Sequence, residues 1–202
     1  MVDGEDCRTA VFGKTERTVG WERVGNRVMA SVSQFLARKL RLTVNAEKSA
    51  VARPWERKFL GFTFTAKGKP KGRIAPQALQ RFKARIRAYT NRTRGTSLTR
   101  TIRELRVYLV GWRNYFGFCE IRSILKALDS WIRRRLRCML WKQWGRRRYR
   151  ELRRRGVSQD LAWNTAKSAH GPWRLSRSPA LSFALPATYF ASLGLPRLAE
   201  TP

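Results

Sequence analysis

Apolar residues recur at intervals of four and three positions through residues 98–116, and no other feature constrains the fold of this chain as strongly. Side chains with this spacing lie on one face of an α-helix. The pattern predicts a helix of about five turns with Ser97 as its N-cap. The stripe consists of Leu98, Ile102, Leu105, Leu109, Trp112 and Phe116.

Two neighbouring segments have stripes of the same kind. The first follows Pro76 and consists of Leu79, Phe82, Ile86 and Tyr89. The second begins near Ile121 and consists of Leu125, Leu128, Ile132, Leu136 and Leu140. Because three amphipathic helices of this length can bury a common core, we predict a small helical bundle over residues 76–156.

The residues ahead of the bundle predict a smaller mixed region. Residues 1–26 lack clear periodicity, and we expect them to be poorly ordered. Residues 27–40 predict a helix whose stripe is Val28, Val32, Phe35, Leu36 and Leu40. Short strands are predicted at 42–44, 48–53 and 57–65, with Gly61 marking a bulge or a close backbone approach. The fold class is therefore α+β, mainly α.

The C-terminal residues 157–202 predict an irregular extension, which is rich in Pro, Ser and aromatic residues from Gly171 onward. Ser158 is suited to capping a short helix through Ala169. Residues 186–193 predict one last short helix, ended by Gly194. The domain boundaries expected from sequence are thus 1–26, 27–75, 76–156 and 157–202.

Charge is the second strong constraint, because 44 Lys and Arg stand against 13 Asp and Glu, for a net charge of +31. Such a surface favours a polyanionic partner. No acidic residue lies between Arg57 and Arg103, and only Glu151 lies between Arg133 and Arg155. Solvated helices usually alternate Glu with Lys, whereas uncompensated arginines suit phosphate. Binding to a membrane surface or to a calmodulin-like partner is the alternative.

The residues chosen as backbone-phosphate contacts lie in the basic turn after residue 65, on the first bundle helix and in the second basic block. They are Lys67, Lys69, Lys71, Arg73, Arg81, Lys83, Arg85, Arg87, Arg133, Arg134, Arg146, Arg147 and Arg148. The aromatic residues of GWRNYFGF could stack on bases, but such stripes are more often buried. We therefore assign Trp112, Tyr115 and Phe116 to the structural core, with Tyr115 bordering the surface.

Several functional classes are disfavoured by what the sequence contains. Cys7, Cys119 and Cys138 are scattered and His170 is the single histidine, so we expect no metal site and no cofactor. No apolar run reaches 18 residues, which excludes a spanning helix and argues against a membrane protein. The acidic N-terminus does not resemble a secretory signal, and a cytoplasmic location is expected.

Three motifs occur in order along the chain. They are Asn45-x-x-Lys48-Ser49, Phe59-Leu60-Gly61-Phe62 and Gly111-Trp112-x-x-Tyr115-Phe116. Together they resemble the C-terminal part of bacterial group II intron-encoded reverse transcriptase/maturase proteins, over roughly residues 27–199. In that family the first two motifs close the polymerase palm and the third belongs to the maturase-specific, thumb-like domain. The tail is similar to that of members lacking an endonuclease domain.

The resemblance implies roles for particular residues. Phe59, Leu60, Gly61 and Phe62 correspond to a primer-grip-like hairpin, and Lys48 to a nucleic-acid-binding position near the polymerase site. The family's Tyr-Ala-Asp-Asp motif, which holds the catalytic metal ions, is absent from this sequence. We therefore expect a truncated member without catalytic residues.

Three functions remain open from the sequence. The preferred one is an RNA-binding maturase-type fragment that assists folding and splicing of group II intron RNA, or that contacts an RNA/DNA hybrid. The alternative is the thumb of an RNA-directed DNA polymerase that is active only when the missing fingers and palm are supplied. A degenerate fragment without function is the third. Sequence does not indicate the oligomeric state.

Overall fold

The structure is a computed structural model that describes residues 16–66 and 69–200. These described residues divide into two compact units, the first ending at Arg57 and the second beginning at Lys58. Among the described residues, none of the helices combines the length and the apolar character that crossing a bilayer requires. The mainly helical structure with one small antiparallel sheet confirms the α+β class predicted from sequence.

The first unit contains one long helix, α1 (Glu16–Leu40). Residues 16–26, predicted to be poorly ordered, form its first turns because Val24 continues the four-residue spacing of Val28 and Val32. The earlier residues of that prediction lie outside the described residues. The large apolar side chains of the stripe remain exposed: Val28 by 57 %, Val32 by 48 % and Phe35 by 57 %.

The strands predicted at 42–44 and 48–53 are wrong, since residues 41–53 contain no strand. The chain turns at Arg41 (φ 51°) as it leaves α1 and turns again at residues 46–48. Asn45 closes this second turn by accepting from the backbone N–H of Lys48 through its side chain, at 3.0 Å. An isolated extended segment leaves its backbone groups without a ladder partner, and tertiary pairing is what turns such a sequence into a strand.

The second unit begins with a two-stranded hairpin. Strand β1 (Phe62–Phe64) pairs antiparallel with β2 (Gly72–Ile74), with Thr63 opposite Arg73. The predicted strand 57–65 is shortened because Leu60 and Gly61 both have positive φ, at 49° and 79°. Two central residues of this kind make a tight hairpin turn, which the paired backbone bonds between Phe59 and Phe62 close at 2.9 Å.

The bundle consists of α2 (Pro76–Tyr89), α3 (Leu98–Phe116) and α4 (Arg122–Trp144). Its three predicted helices are confirmed, as is Ser97, whose hydroxyl accepts from Arg100 N at the start of α3. The apolar stripes face one another and exclude water completely at many positions. These include Phe82, Ile86, Ile102, Leu105, Leu109, Leu125, Ile132 and Leu136.

Short helices complete the unit and share the core of the bundle. A 3-10 turn (Gly145–Arg147) leads to α5 (Arg148–Arg154) and α6 (Gln159–Lys167). The tail forms α7 (Pro172–Leu175), α8 (Pro179–Ala184) and α9 (Ala187–Ser192). The predicted helices after Ser158 and Pro186 are confirmed, although the first ends at Lys167 instead of Ala169 and the Ser158 side chain makes no capping bond. Tail residues Leu181, Phe190 and Leu198 are fully buried in the common core.

A buried carboxylate attaches the end of the tail to α4. Asp129 accepts hydrogen bonds from the backbone N–H groups of Leu198 at 2.9 Å and Ala199 at 3.1 Å. Burial raises the pKa of the Asp129 carboxyl, although these two bonds act in the opposite direction. The tail is thus held by a specific polar contact as well as by its apolar residues.

Candidate nucleic-acid interface

Helix α2 separates an apolar face from a basic one. Phe82 and Ile86 point into the core, while Arg81, Arg85 and Arg87 are exposed. The helical period forces this division, because residues next to a buried position turn outward. Lys83, also chosen from the sequence, lies half-buried on the same helix. In the part of the chain that the structure describes, none of these cations forms an ion pair with a carboxylate.

The basic turn of the hairpin projects two more cations. Lys69 and Lys71 are exposed between the strands, while Arg73 lies half-buried on β2. Lys67 lies outside the described residues. The carbonyl oxygen of Gly72 accepts from the Glu120 backbone N–H at 3.2 Å, and the Gly72 N–H donates to Glu120 Oε1 at 3.3 Å. These two bonds attach the hairpin to the connection between α3 and α4. The basic turn is therefore held in place against the helical bundle.

The arginines of α4 have a different environment from those of α2. Arg134 lies over the ring of Trp173 at 3.7 Å and donates to the carbonyl oxygen of Trp173 at 3.0 Å and to Ser176 Oγ at 3.3 Å. Burial lowers the pKa of its guanidinium, which still stays charged at neutral pH. Arg134 therefore holds α7 against α4 through its Nε and Nη2 groups.

The second basic block divides in the same way. Arg148 donates to the carbonyl oxygen of Trp141 at 3.2 Å and lies over the Trp141 ring, so it supports the end of α4. Arg146 and Arg147 in the 3-10 turn are exposed, whereas Arg133 is half-buried. The cations predicted from sequence thus comprise an exposed group and a group engaged in packing, although exposed Arg85 also donates to the Tyr89 hydroxyl at 3.2 Å. The exposed members within the second unit are Lys69, Lys71, Arg81, Arg85, Arg87, Arg146 and Arg147.

The basic faces of α2 and α4 meet around one tryptophan. The guanidinium groups of Arg87 and Arg135 lie 5.8 and 5.9 Å from the ring centre of Trp131. Arg135 also donates to Thr90 Oγ1 at 2.9 Å, at the end of α2. Arg135 is not among the predicted contacts, although it lies within the second basic block. The run of basic residues was the sequence signal that could have indicated Arg135. Only its packing against Thr90 and Trp131 distinguishes Arg135 from the neighbouring arginines.

The hairpin tip presents apolar side chains to solvent. Phe59 is 75 % exposed and Leu60 is 66 % exposed, whereas Phe62 packs on the ring of Phe116 at 5.2 Å. Tyr115 donates its hydroxyl hydrogen to the carbonyl oxygen of Leu60 at 2.8 Å. A Cβ added to Gly61 would lie 3.1 Å from the Phe116 ring, which confirms the close approach predicted for this glycine. The tip is therefore an exposed apolar projection that contacts α3.

The aromatic residues of α3 differ in accessibility. Trp112 and Phe116 are 8 % and 9 % exposed, and Trp112 packs on Phe82 at 4.3 Å between ring centres. Neither ring has a free face on which a base could stack. Tyr115 lies at the edge of the core with 48 % of its surface exposed. It is the member of this set that a ligand can reach.

In the first unit, Lys48 is exposed in the turn closed by Asn45. Within residues 16–66 and 69–200, no group of three or more His, Cys, Asp or Glu side chains is placed to hold a metal ion. Cys119 and Cys138 are buried free thiols, and burial raises the pKa of Cys138. Cys7 lies outside the described residues.

Comparison with known proteins places a family match on the helical part of the second unit. No curated protein sequence matches the chain. Residues 79–156 match the family model described as "Group II intron, maturase-specific domain". This segment begins within α2 and ends just after α5, so it contains most of the arginines described above. Over residues 79–156 the chain is similar to the maturase-specific domain of group II intron proteins.

Proposed function

We propose that this protein is an RNA-binding, maturase-type protein that assists the folding and splicing of a group II intron RNA. The observation that carries the proposal is the match of residues 79–156 to the maturase-specific domain. The same residues include the helix whose outer face carries Arg81, Arg85 and Arg87. Family similarity and the distribution of charge thus support the same function through separate properties of the chain.

The proposed role depends on charge and shape. Structured RNA presents regularly spaced phosphates, and a protein that neutralises several of them releases the bound counterions. Exposed arginines on a rigid helix suit this task because the guanidinium fork can hold two phosphate oxygens. Arg134 and Arg148 contribute indirectly, since their bonds to α7 and to the end of α4 keep the scaffold in place.

The test compares two RNAs of equal length, a group II intron RNA and an unrelated folded RNA. Affinity for both is measured as a function of salt. The probe variant replaces Arg81, Arg85 and Arg146 by Gln, and the matched control replaces Arg103, Arg106 and Lys126 by Gln. All six residues are exposed, and each variant removes the same charge.

We expect tighter binding of the intron RNA at physiological salt. The probe variant should reduce the slope of log K against log salt by about two to three, at roughly 0.7–0.9 per lost phosphate contact. The control variant should leave most of the slope unchanged. Equal affinity for the two RNAs would refute a maturase-type function, and equal slopes for the two variants would refute the assigned surface.

One observation favours the second candidate, a polymerase part that works with separately supplied fingers and palm. Helix α1 exposes Val28, Val32 and Phe35 on one face. Contiguous apolar residues of this kind mark surfaces that another protein covers. Primer extension that appears only when a fingers-and-palm fragment is added would support this candidate, and no extension under that condition would exclude it.

A further inference from the structure

A cavity of about 130 Å³ lies where the end of α2, the middle of α4 and the short helix α7 come together. It is lined by Thr90, Arg92, Arg135, Cys138 and Trp173. A water molecule needs roughly 10–15 Å³ of such space, so this cavity admits a group of several heavy atoms. The clefted site beside Asp129, by contrast, has about 10 Å³ and is too small for more than a water.

The charges around the cavity are positive. Arg92 and Arg135 line it, and no acidic residue does so. Arg134 stands beside it, stacked on Trp173. The fields of Arg92, Arg135 and Arg134 all favour the thiolate form of Cys138, and burial outweighs them in raising the pKa of that thiol. Three guanidinium groups therefore lie close enough to act on one wall of the cavity.

Arg135 is held in a fixed position with hydrogen-bonding capacity remaining. Its Nε donates to Thr90 Oγ1 at 2.9 Å, and its Nη2 lies 3.4 Å from the carbonyl oxygens of Arg87 and Thr90. Its Nη1 makes no hydrogen bond within the described part of the chain. Arg92, in the α2–α3 connection, is exposed and forms no ion pair there with a described carboxylate. The guanidinium of Arg135 is thus held by α2, while that of Arg92 lies beside the Cys138 thiol on the same cavity.

We propose that this cavity binds a single phosphate group between Arg92 and Arg135. Phosphate matches the site because its oxygens can accept from two guanidinium forks at once, and its charge offsets the repulsion between the arginines. Desolvation of Arg135, which already lowers the pKa of its guanidinium, is partly compensated when an anion lies beside it. Trp173 offers a ring at the rim, 39 % exposed, for the organic part of a nucleotide.

The phosphate can come from two sources, an RNA phosphodiester or a free phosphate or mononucleotide. The first source rests on the RNA-binding function proposed above, whereas the pocket itself does not. Trp173 lies outside the matched residues 79–156. The complete pocket therefore requires the tail helix α7 as well as the maturase-like segment.

The test follows the reaction of Cys138 with methyl methanethiosulfonate, measured on its own peptide by mass spectrometry in the full-length protein. Cys119, a buried thiol in the connection between α3 and α4 that does not line the cavity, is the internal control. Inorganic phosphate should slow modification of Cys138 several-fold and leave Cys119 unchanged. Sodium chloride or acetate at equal ionic strength should not have this effect.

The probe variant is Arg92→Gln, and the matched control is Arg103→Gln, which removes another exposed arginine, from α3. Arg92→Gln should raise the phosphate concentration for half-protection at least fivefold, Arg92→Lys should restore part of the loss, and Arg103→Gln should behave as the unchanged protein. Equal half-protection in the Arg92→Gln and Arg103→Gln variants would overturn the proposal. So would equal protection by chloride.

Where Cys138 reacts too slowly to follow, the phosphate-induced rise in melting temperature decides between the same variants. A smaller rise for Arg92→Gln than for Arg103→Gln supports the pocket, and equal rises overturn it. Uridine monophosphate and a short single-stranded RNA then identify the source. If RNA protects Cys138 at a lower concentration of phosphate groups than uridine monophosphate does, the pocket binds a phosphodiester. If uridine monophosphate alone protects Cys138, the pocket binds a free ligand. Failure of this test leaves the intron-RNA comparison unaffected, and the reverse also holds.

Discussion

Replacing Trp112 by Ala should lower the free energy of unfolding of the second unit, and any effect on RNA binding should follow from that loss of stability. The side chain is 8 % exposed and packs on Phe82 and Phe116 at 4.3 and 4.7 Å between ring centres. A Trp buries roughly 200 Å², which at about 25 cal/mol per Å² corresponds to roughly 4–5 kcal/mol. Ala retains about 1 kcal/mol of this, and compaction of the unfolded chain removes a further fraction.

The loss of the two aromatic contacts adds about 1–2 kcal/mol to the destabilisation caused by replacing Trp112. The expected decrease in the free energy of unfolding is therefore about 3–5 kcal/mol, the range seen for large aromatic truncations in cores. The measurement is urea denaturation followed by circular dichroism, because removing a tryptophan alters fluorescence directly.

A surface aromatic from the same motif is the control. Phe118 is 78 % exposed, so Phe118→Ala should change the free energy of unfolding by less than about 0.5 kcal/mol. RNA affinity of the Trp112→Ala protein is measured well below its unfolding midpoint. Unchanged stability together with weakened RNA binding would refute the buried role of Trp112 and indicate that the ring stacks on a base.

Four further outcomes are expected. Gly61→Ala should lower the free energy of unfolding by about 1–3 kcal/mol, which is more than the loss for Gly95→Ala. Both glycines have positive φ, but only Gly61 faces the Phe116 ring. Equal losses in thermal unfolding would contradict this. Ser97→Ala should cost about 1 kcal/mol through loss of the N-cap, measured by the same denaturation. Burial raises the pKa of Asp129, so the folded state binds the Asp129 proton more tightly than the unfolded state does. The free energy of unfolding of the unchanged protein, relative to that of Asp129→Asn, should therefore be greatest below the ordinary Asp pKa of about 4 and should fall as pH rises through the raised pKa. A difference that does not vary with pH would disprove this. The isolated protein should not extend a primer on an RNA template with Mg²⁺ and nucleotides, because the sequence contains no Tyr-Ala-Asp-Asp motif; extension by a preparation free of contaminating polymerase would overturn this expectation.

Local spacing alone determined the helices of the bundle. The four-and-three alternation from Leu98 to Phe116, and the serine ahead of it, specify a helix and its start through contacts within a few residues. The same locality made the helix after Pro186 predictable, whereas the close approach at Gly61 involves Phe116, a residue distant in sequence. The apolar face of each helix also indicated which side chains would be buried.

Tertiary structure decided the features that depend on partners distant in sequence. The segments at 42–44 and 48–53 have the composition of strands, yet they are irregular because strand formation requires a partner strand. Arg85 and Arg134 are the same residue type in similar basic runs. Arg85 is exposed, whereas Arg134 is committed to Trp173, some forty positions away, because α7 packs against α4. Helix formation is encoded in neighbouring residues, but the environment of a charge is set by whatever the fold places beside it.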